Sequence, residues 1–391
     1  MAATPERKAL APSLRSAVAP FLAMDVLSAA GRLEREGRDI VHMEVGEPGA
    51  PTPRLVREAA KAALETGRIG YTEALGRASL RARIARHYRE TYGVDVSPER
   101  VAVTTGSSAG FIFAFLALFE AGARVAVSEP GYPAYRNIFQ ALGIETVALP
   151  ISAATGWRVT PAMIEAAHAQ KPLDGVLLMS PANPTGTMMD EAALRAVCET
   201  CERLGVAFIS DEIYHGLTYA MPAQTALRFS QKAVIVNSFS KYYCMTGWRI
   251  GWLVLPEELT RTVERLQQSF AISAPFLSQV AAEAAFDATD ELEAVKAGYA
   301  RNRDLLLNAL PALGLSEFPP PDGAFYIYVD VSRYTNDTLD FAARMLREAG
   351  VAATPGLDFD PARGARFLRL SFAGSESAMI EAVKRLKGWM G

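Results

Sequence analysis

The chain has 391 residues, 40 basic and 43 acidic side chains, a net charge of −3 and a hydrophobic content of 50%. That balance excludes general disorder and gives no bulk attraction to nucleic acid or an anionic membrane, which leaves small metabolites as the expected partners. Three cysteines, Cys198, Cys201 and Cys244, cannot build a disulfide framework and suit a reducing, cytoplasmic compartment.

In chain order, the N-terminal stretch MAATPERKALAPSLRSAVAP carries charges but no long apolar run before a cleavage site. No window reaches the roughly 18 to 20 apolar residues needed to span a bilayer. Residues 12–38 read as a short arm, with exposed apolar residues in need of a partner surface, and then an amphipathic helix. IVHMEVGEPGAPTP follows as a strand and a Pro/Gly-rich turn, and PRLVREAAKAALETG as a helix ended by Gly67.

From residue 101 a strand, loop and helix pattern repeats. VAVTTGSSAGFIFAFLALF is a strand, a glycine turn and an apolar helix, RVAVSEPGYPAY a strand then a loop, and GIETVALP another strand. GVLLMSPANPTG, VAFISDEIY and AVIVNSFSK are apolar runs that end in polar residues. Runs buried on both faces and separated by helices predict a mainly parallel sheet, whose strand-end loops gather at one ligand-binding edge. A long helical region, roughly 257–311, leads into GAFYIYVDVS, a helical DTLDFAARMLREAGV and ARFLRLSFAG, which read as a smaller α+β domain.

Several strand ends carry residues suited to chemistry. TTGSSAG (104–110) reads as a tight turn or as a phosphate cradle of small residues, hydroxyls and free helix amides. It is neither GxGxxG nor a P-loop, which counts against dinucleotide binding and nucleotide hydrolysis. Tyr132 in EPGYPAYR could cover a planar cofactor or fill a loop, and Asn183 in SPANPTG could make an Asx turn or bond a ligand oxygen. Asp211 ends an apolar strand, where a carboxylate needs a positive or hydrogen-bonding partner; a protonated ring nitrogen would serve, with Tyr214 reaching the ring's opposite edge.

In SFSKYYCMTGWRIGW (238–252), Lys241 is either a surface lysine or, with its pKa lowered, a Schiff-base former. A phosphate beside it could bind Ser238, Ser240 and Arg249. Cys198 and Cys201 have redox spacing but lie in a helical pattern, which points to packing. The histidines, His42, His87, His168 and His215, lack metal-ligand spacing, so no metal is expected.

Taken together, these motifs resemble the fold-type I pyridoxal-phosphate enzymes, specifically the class I/II aminotransferase family, over about residues 20–385. The resemblance implies an α/β three-layer sandwich with a mainly parallel sheet plus a smaller α+β domain. It divides the chain into an arm and helix packing on the small domain (1–45), a large cofactor-binding domain (46–285) and a C-terminal small domain (286–391).

It also implies roles. Lys241 becomes the Schiff-base lysine and proton-transfer base, Asp211 the partner of the pyridine nitrogen, and Tyr214 and Asn183 the partners of the phenolic oxygen. Ser107, Ser108, Ser238, Ser240 and Arg249 fall on the phosphate side, Ser108 standing where the family usually has lysine or glutamine. Tyr132 takes the stacking position, and Arg369 in FLRLSFAG the substrate carboxylate, with Gly46 and Asn183 lining the same pocket. Tyr71 in GYTEALG matches a tyrosine donated to the neighbouring subunit, which implies a homodimer with shared sites.

The implied reaction is ping-pong transfer of an amino group from an L-amino acid to a 2-oxo acid, with aspartate and 2-oxoglutarate as the first expectation. Alanine, branched-chain or aromatic donors, for which the apolar segment APFLAM (19–24) could line a pocket, a related lyase, and a regulatory cofactor-binding protein are the alternatives.

Overall fold

The apolar runs become twelve strands in a computed structural model that describes residues 11–391, so the first ten residues of the N-terminal arm lie outside the described residues. They are β1 (Val41–His42), β2 (Val101–Thr104), β3 (Arg124–Glu129), β4 (Glu145–Pro150), β5 (Gly175–Met179), β6 (Ala207–Asp211), β7 (Val234–Ser238), β8 (Gly251–Val254), β9 (Tyr326–Asp330), β10 (Val351–Ala352), β11 (Thr354–Pro355) and β12 (Phe367–Ser371). Seven of them form one sheet in the order β2-β8-β7-β6-β5-β3-β4. All its pairings are parallel except those of β8, which runs against both β2 and β7.

Alternation along these strands makes the sheet the middle of three layers. Val176 and Leu178 of β5 face a core shared with Ile84 and Tyr88 of the helix Ala78–Tyr92 and Val197 of the helix Glu191–Leu204. Leu177 faces the opposite core, with Phe111 and Phe115 of the helix Gly106–Leu118 and Phe139 of the helix Pro133–Leu142. Helices on both faces account for the uninterrupted hydrophobicity that marked these strands in the sequence.

A second core surrounds the small antiparallel sheet β11-β12-β9. It takes in Met379 and Leu386 of the C-terminal helix Glu376–Met390 and, from the other end of the chain, Val41 and Met43. β1 pairs with β10, and Ala30 of the helix Leu22–Arg35 packs with Ile40, Leu346 and Ala352. The helix Thr289–Ala309 joins the two cores, burying Leu292 in the first and Tyr299 and Leu306 in the second.

Three local readings change. Only two residues of IVHMEVGEPG join a ladder; beyond them the Met43 carbonyl accepts from Ser371 N (2.7 Å) and the Glu44 carbonyl from Thr354 Oγ1 (2.7 Å), which draws the segment over the small sheet. EPGYPAY is not all loop, because a helix starts at Pro133, where the ring's fixed φ and missing N–H suit the first turn. DTLDFAARMLREAGV ends in a π-turn, Met345–Ala349.

Cys198 and Cys201 are buried on one helix, and burial pushes both thiols up to about 12, so they act in packing. Among the described residues no helix is long and apolar enough to cross a membrane, and no His/Cys/Asp/Glu group could hold a metal ion.

His42 secures the β1 region: Nδ1 lies 2.7 Å from Glu44 Oε1 and Nε2 lies 3.0 Å from Glu34 Oε1. The Glu44 bond, more than the Glu34 one, raises its pKa from 6.5 to about 9. A raised histidine pKa gives stability that is fully present below 6.5 and disappears as pH rises through about 9. The melting temperature should therefore fall across that window, and His42→Gln should flatten the fall. A parent and variant with the same slope in thermal melts at stepped pH would refute the role.

Candidate active site

The parallel order delivers the ends of β2, β3, β5, β6 and β7 to one edge of the large sheet, and the reversal of β8 brings Arg249, two residues before its start, to the same edge. There a cavity of about 530 Å³ opens between the large sheet and the small one. It is lined by Gly46, Ser107, Ser108, Tyr132, Asn183, Asp211, Tyr214, Ser240, Lys241, Arg249 and Arg369, all expected from the sequence. Two other expected residues are placed elsewhere. Ser238 is buried behind Ser240, its hydroxyl bonded to Ser240 Oγ (2.9 Å) and to the Ile250 carbonyl (3.2 Å). Tyr71 is 82% exposed on the surface.

Asp211 sits on the cavity floor, 1% exposed. It accepts from Tyr135 Oη and from Ile213 N (3.0 Å), two neutral donors. Burial nevertheless raises its pKa to about 7, because these bonds and the more distant Lys241 do not offset desolvation. Lys241 Nζ donates to the Gly46 carbonyl at 2.6 Å. Burial first, and then the Arg369 charge, lowers its pKa to about 8, within reach of the neutral amine that nucleophilic and proton-transfer work needs.

At the phosphate-loop end, Gly106 adopts φ +72°, and a Cβ there would come within 2.5 Å of Arg249 Nη2. Glycine is thus required for the guanidinium to approach the first turn of the helix Gly106–Leu118. Arg249 itself adopts φ +50°, a conformation uncommon for a side-chain-bearing residue, and is held there in part by Nη1 donating to the Thr246 carbonyl (3.0 Å). Free helix amides, the hydroxyls of Ser107, Ser108 and Ser240, and the Arg249 guanidinium facing one space make an anion site.

Across the cavity Arg369 is 4% exposed. Its Nη1 donates to Asn183 Oδ1 (3.0 Å), its Nη2 to the Glu44 carbonyl and Thr354 Oγ1 (3.3 Å), and its Nε is buried without a partner. The guanidinium carbon lies 4.4 Å from the Tyr326 ring centre and 4.7 Å from that of Phe359. A planar cation packed against two aromatic rings and retaining an unused donor is suited to a carboxylate.

The sequence reading missed several groups in and behind the cavity. Tyr135, buried behind the lining and bonded to Asp211, was findable, since it lies one helical turn from Tyr132. Tyr326, Asp358 and Phe359 reach the cavity only through tertiary packing, whereas Phe21 and Met24 belong to the APFLAM segment, which the sequence offered as a pocket wall.

The family model "Aminotransferase class I and II" matches residues 38–386. The valine–pyruvate aminotransferase of Mycobacterium tuberculosis is 48% identical over 382 residues, 97% of this chain and 98% of that protein. The aspartate/prephenate aminotransferase of Thermus thermophilus is 32% identical over 385 residues, 96% and 97% of the two chains. Among solved structures, an aminotransferase from Mycobacterium tuberculosis superimposes with a TM-score of 0.95 at 48% identity, covering 97% of this chain and 99% of that one. The aspartate aminotransferase from Thermus thermophilus with maleate gives 0.91 at 32% identity, covering 96% and 98%.

Proposed function

The chain belongs to the class I and II aminotransferases and has the fold-type I architecture of these pyridoxal-phosphate-dependent enzymes, and from that premise we propose that it takes the amino group from an L-amino acid with a short apolar side chain, valine or alanine, and passes it to a 2-oxo acid such as pyruvate. One observation carries the donor assignment. The cavity is lined by three cations, Lys241, Arg249 and Arg369, and each has a role before any side chain of the donor is considered. The remaining wall is mostly apolar, with Phe21, Ala23, Met24, Ile112 and Ile138; its one further charge is the carboxylate of Asp358, and Asn137 there donates to the Ala19 carbonyl. A second substrate carboxylate would be desolvated there without a partner, whereas an isopropyl or methyl group would be buried favourably. The name of the 48% identical relative agrees. The relatives named for aspartate and prephenate, at 30% to 32% identity, support the aspartate expectation as the second reading.

The residues present fit pyridoxal phosphate. A buried carboxyl raised to about 7 and bonded only to neutral donors is matched by a protonated pyridine nitrogen, and the cradle of Gly106, Ser107, Ser108, Ser240 and Arg249 by a phosphate. Bound pyridoxal phosphate supplies the aldehyde that takes up the amino group and the electron sink for the pair left when the donor's Cα–H bond breaks. Asp211 would hold the proton on the ring nitrogen, Tyr214 Oη and the amide N–H of Asn183, whose Oδ1 accepts from Arg369, would hold the phenolic oxygen, and Tyr132 would lie against the ring. Arg369 would hold the donor's α-carboxylate, which would fix where Cα sits relative to Lys241, and Lys241 Nζ, as the neutral amine, would take and hold the proton from Cα.

The same proposal includes a homodimer. Exposed Ile69 and Tyr71 lie beside exposed Phe270 and Ile272, where Thr72 N bonds Ser273 Oγ (3.3 Å). An apolar cluster of this kind suits burial against a second copy, with Tyr71 entering the partner's phosphate cradle.

The test is the half-reaction: loaded enzyme mixed with single amino acids without acceptor, with the keto acid released assayed. Valine or alanine should exceed aspartate in kcat/KM by about tenfold or more, the scale on which a few buried methyl groups discriminate. Aspartate leading the panel would overturn the apolar-donor proposal in favour of the dicarboxylate reading.

A further inference from the structure

Tyr326 touches both halves of the site. Its hydroxyl lies 2.6 Å from Tyr214 Oη, and its ring centre 4.4 Å from the guanidinium carbon of Arg369. Both contacts follow from the small sheet: Tyr326 on β9 pairs with Ser371 on β12, while Arg369 pairs with Tyr328, so Tyr326 and Arg369 are diagonal neighbours on one face. The Tyr214 and Tyr326 rings meet edge to face, 5.7 Å apart at 80°.

The chain makes room for this hydroxyl in particular. A Cβ on Gly46 would fall 1.9 Å from Tyr326 Oη. Any larger residue at Gly46 would displace the phenol from Tyr214, so the glycine that clears the pocket also preserves the hydroxyl pair.

We propose that Tyr326 is a positioning residue that joins the two subsites, its hydroxyl strengthening the hydrogen bond Tyr214 gives to the cofactor's phenolic oxygen and its ring setting the plane of Arg369 for the donor's carboxylate. The proposal rests on the cofactor reading of the site. Burial raises the pKa of both phenols above the usual value, so each keeps its one proton. With the Tyr214 proton directed to the cofactor, the short contact is closed by Tyr326 donating to Tyr214 Oη. A donor that itself accepts a hydrogen bond is polarised and becomes a stronger donor. The phenolic oxygen is then stabilised as the anion, which lowers the pH at which the bound cofactor's visible band changes protonation state.

The experiment is a pH titration of the visible band of the loaded enzyme, paired with half-reaction KM, for the parent, Tyr326→Phe and Tyr326→Leu. The phenylalanine variant keeps the ring and loses the hydroxyl. Its midpoint should rise by about half to one pH unit, with a much smaller change in KM. The leucine variant should show the same rise and also a donor KM about three- to tenfold higher, as the cation–π face is lost. A purely structural tyrosine would leave the midpoint unmoved in both variants, and that result overturns the proposal. So does a leucine variant with parental KM. A parent band that ignores pH would fail the cofactor reading itself and take the proposal with it.

Discussion

Lys241→Ala lowers half-reaction turnover by at least about 10⁴-fold, the upper range for a positioned general acid–base group, to which the loss of its nucleophilic role adds. The size of the effect follows from how singular Lys241 is. It is the one lysine lining the cavity; Arg249 and Arg369, the other cations there, are guanidinium groups and offer no primary amine. Its pKa is lowered to about 8, chiefly by burial, so an appreciable fraction is the neutral amine near neutral pH. An exposed lysine could not do this. The variant should still bind pyridoxal phosphate, because Asp211 and the phosphate cradle are untouched, but without the covalent link that gives the yellow colour. Absorbance after loading, together with keto acid released, checks both points. Turnover at the parental rate would remove Lys241 from the mechanism.

Arg369→Lys lowers kcat/KM for the amino-acid donor by about 30- to 1,000-fold, equivalent to about 2 to 4 kcal/mol for disturbing a buried, hydrogen-bonded charge. The charge is conserved in this variant, so the loss reports geometry. Arg369 spreads its donors over Asn183 Oδ1, the Glu44 carbonyl and Thr354 Oγ1 while packing against two aromatic rings. An ammonium cannot reach those acceptors and present a planar fork to a carboxylate as well. Most of the loss should fall in KM, with cofactor loading close to parental. Steady-state kinetics over a donor series separates the two parameters, and an unchanged KM would show that the carboxylate is held elsewhere.

The large sheet was legible because its strands are apolar runs that stop abruptly at polar residues. Asp211, Asn183 and Lys241 stood out as polar groups at strand ends, where the chain has no packing reason to place them. Tyr326 did not stand out. In GAFYIYVDVS it is one aromatic among several in a buried strand, and nothing local tells a tyrosine chosen for its ring from one chosen for its hydroxyl. Its meaning depends on Tyr214, 112 residues away. The β1 segment was misjudged for a related reason. Its apolar alternation is real, but Met43 and Glu44 are held by bonds to the small sheet, contacts that no window of sequence contains. Ser238 was legible as part of a motif and not as a position, since whether a serine faces the cavity or the next serine depends on the twist of the turn between them.

The wall formed by Phe21, Ala23 and Met24 has a consequence of its own. These residues come from the first turn of the helix Leu22–Arg35 and the residue before it; Leu22 N and Ala23 N bind the Asp358 carboxylate at 3.0 and 3.3 Å, and Asn137 holds the Ala19 carbonyl at 2.9 Å. None of the groups that move protons lies in that stretch. This part of the wall can therefore be recut without touching the groups at the strand ends, whereas Ile112 and Ile138, on the helices that begin beside Ser107 and Tyr132, cannot be changed so independently.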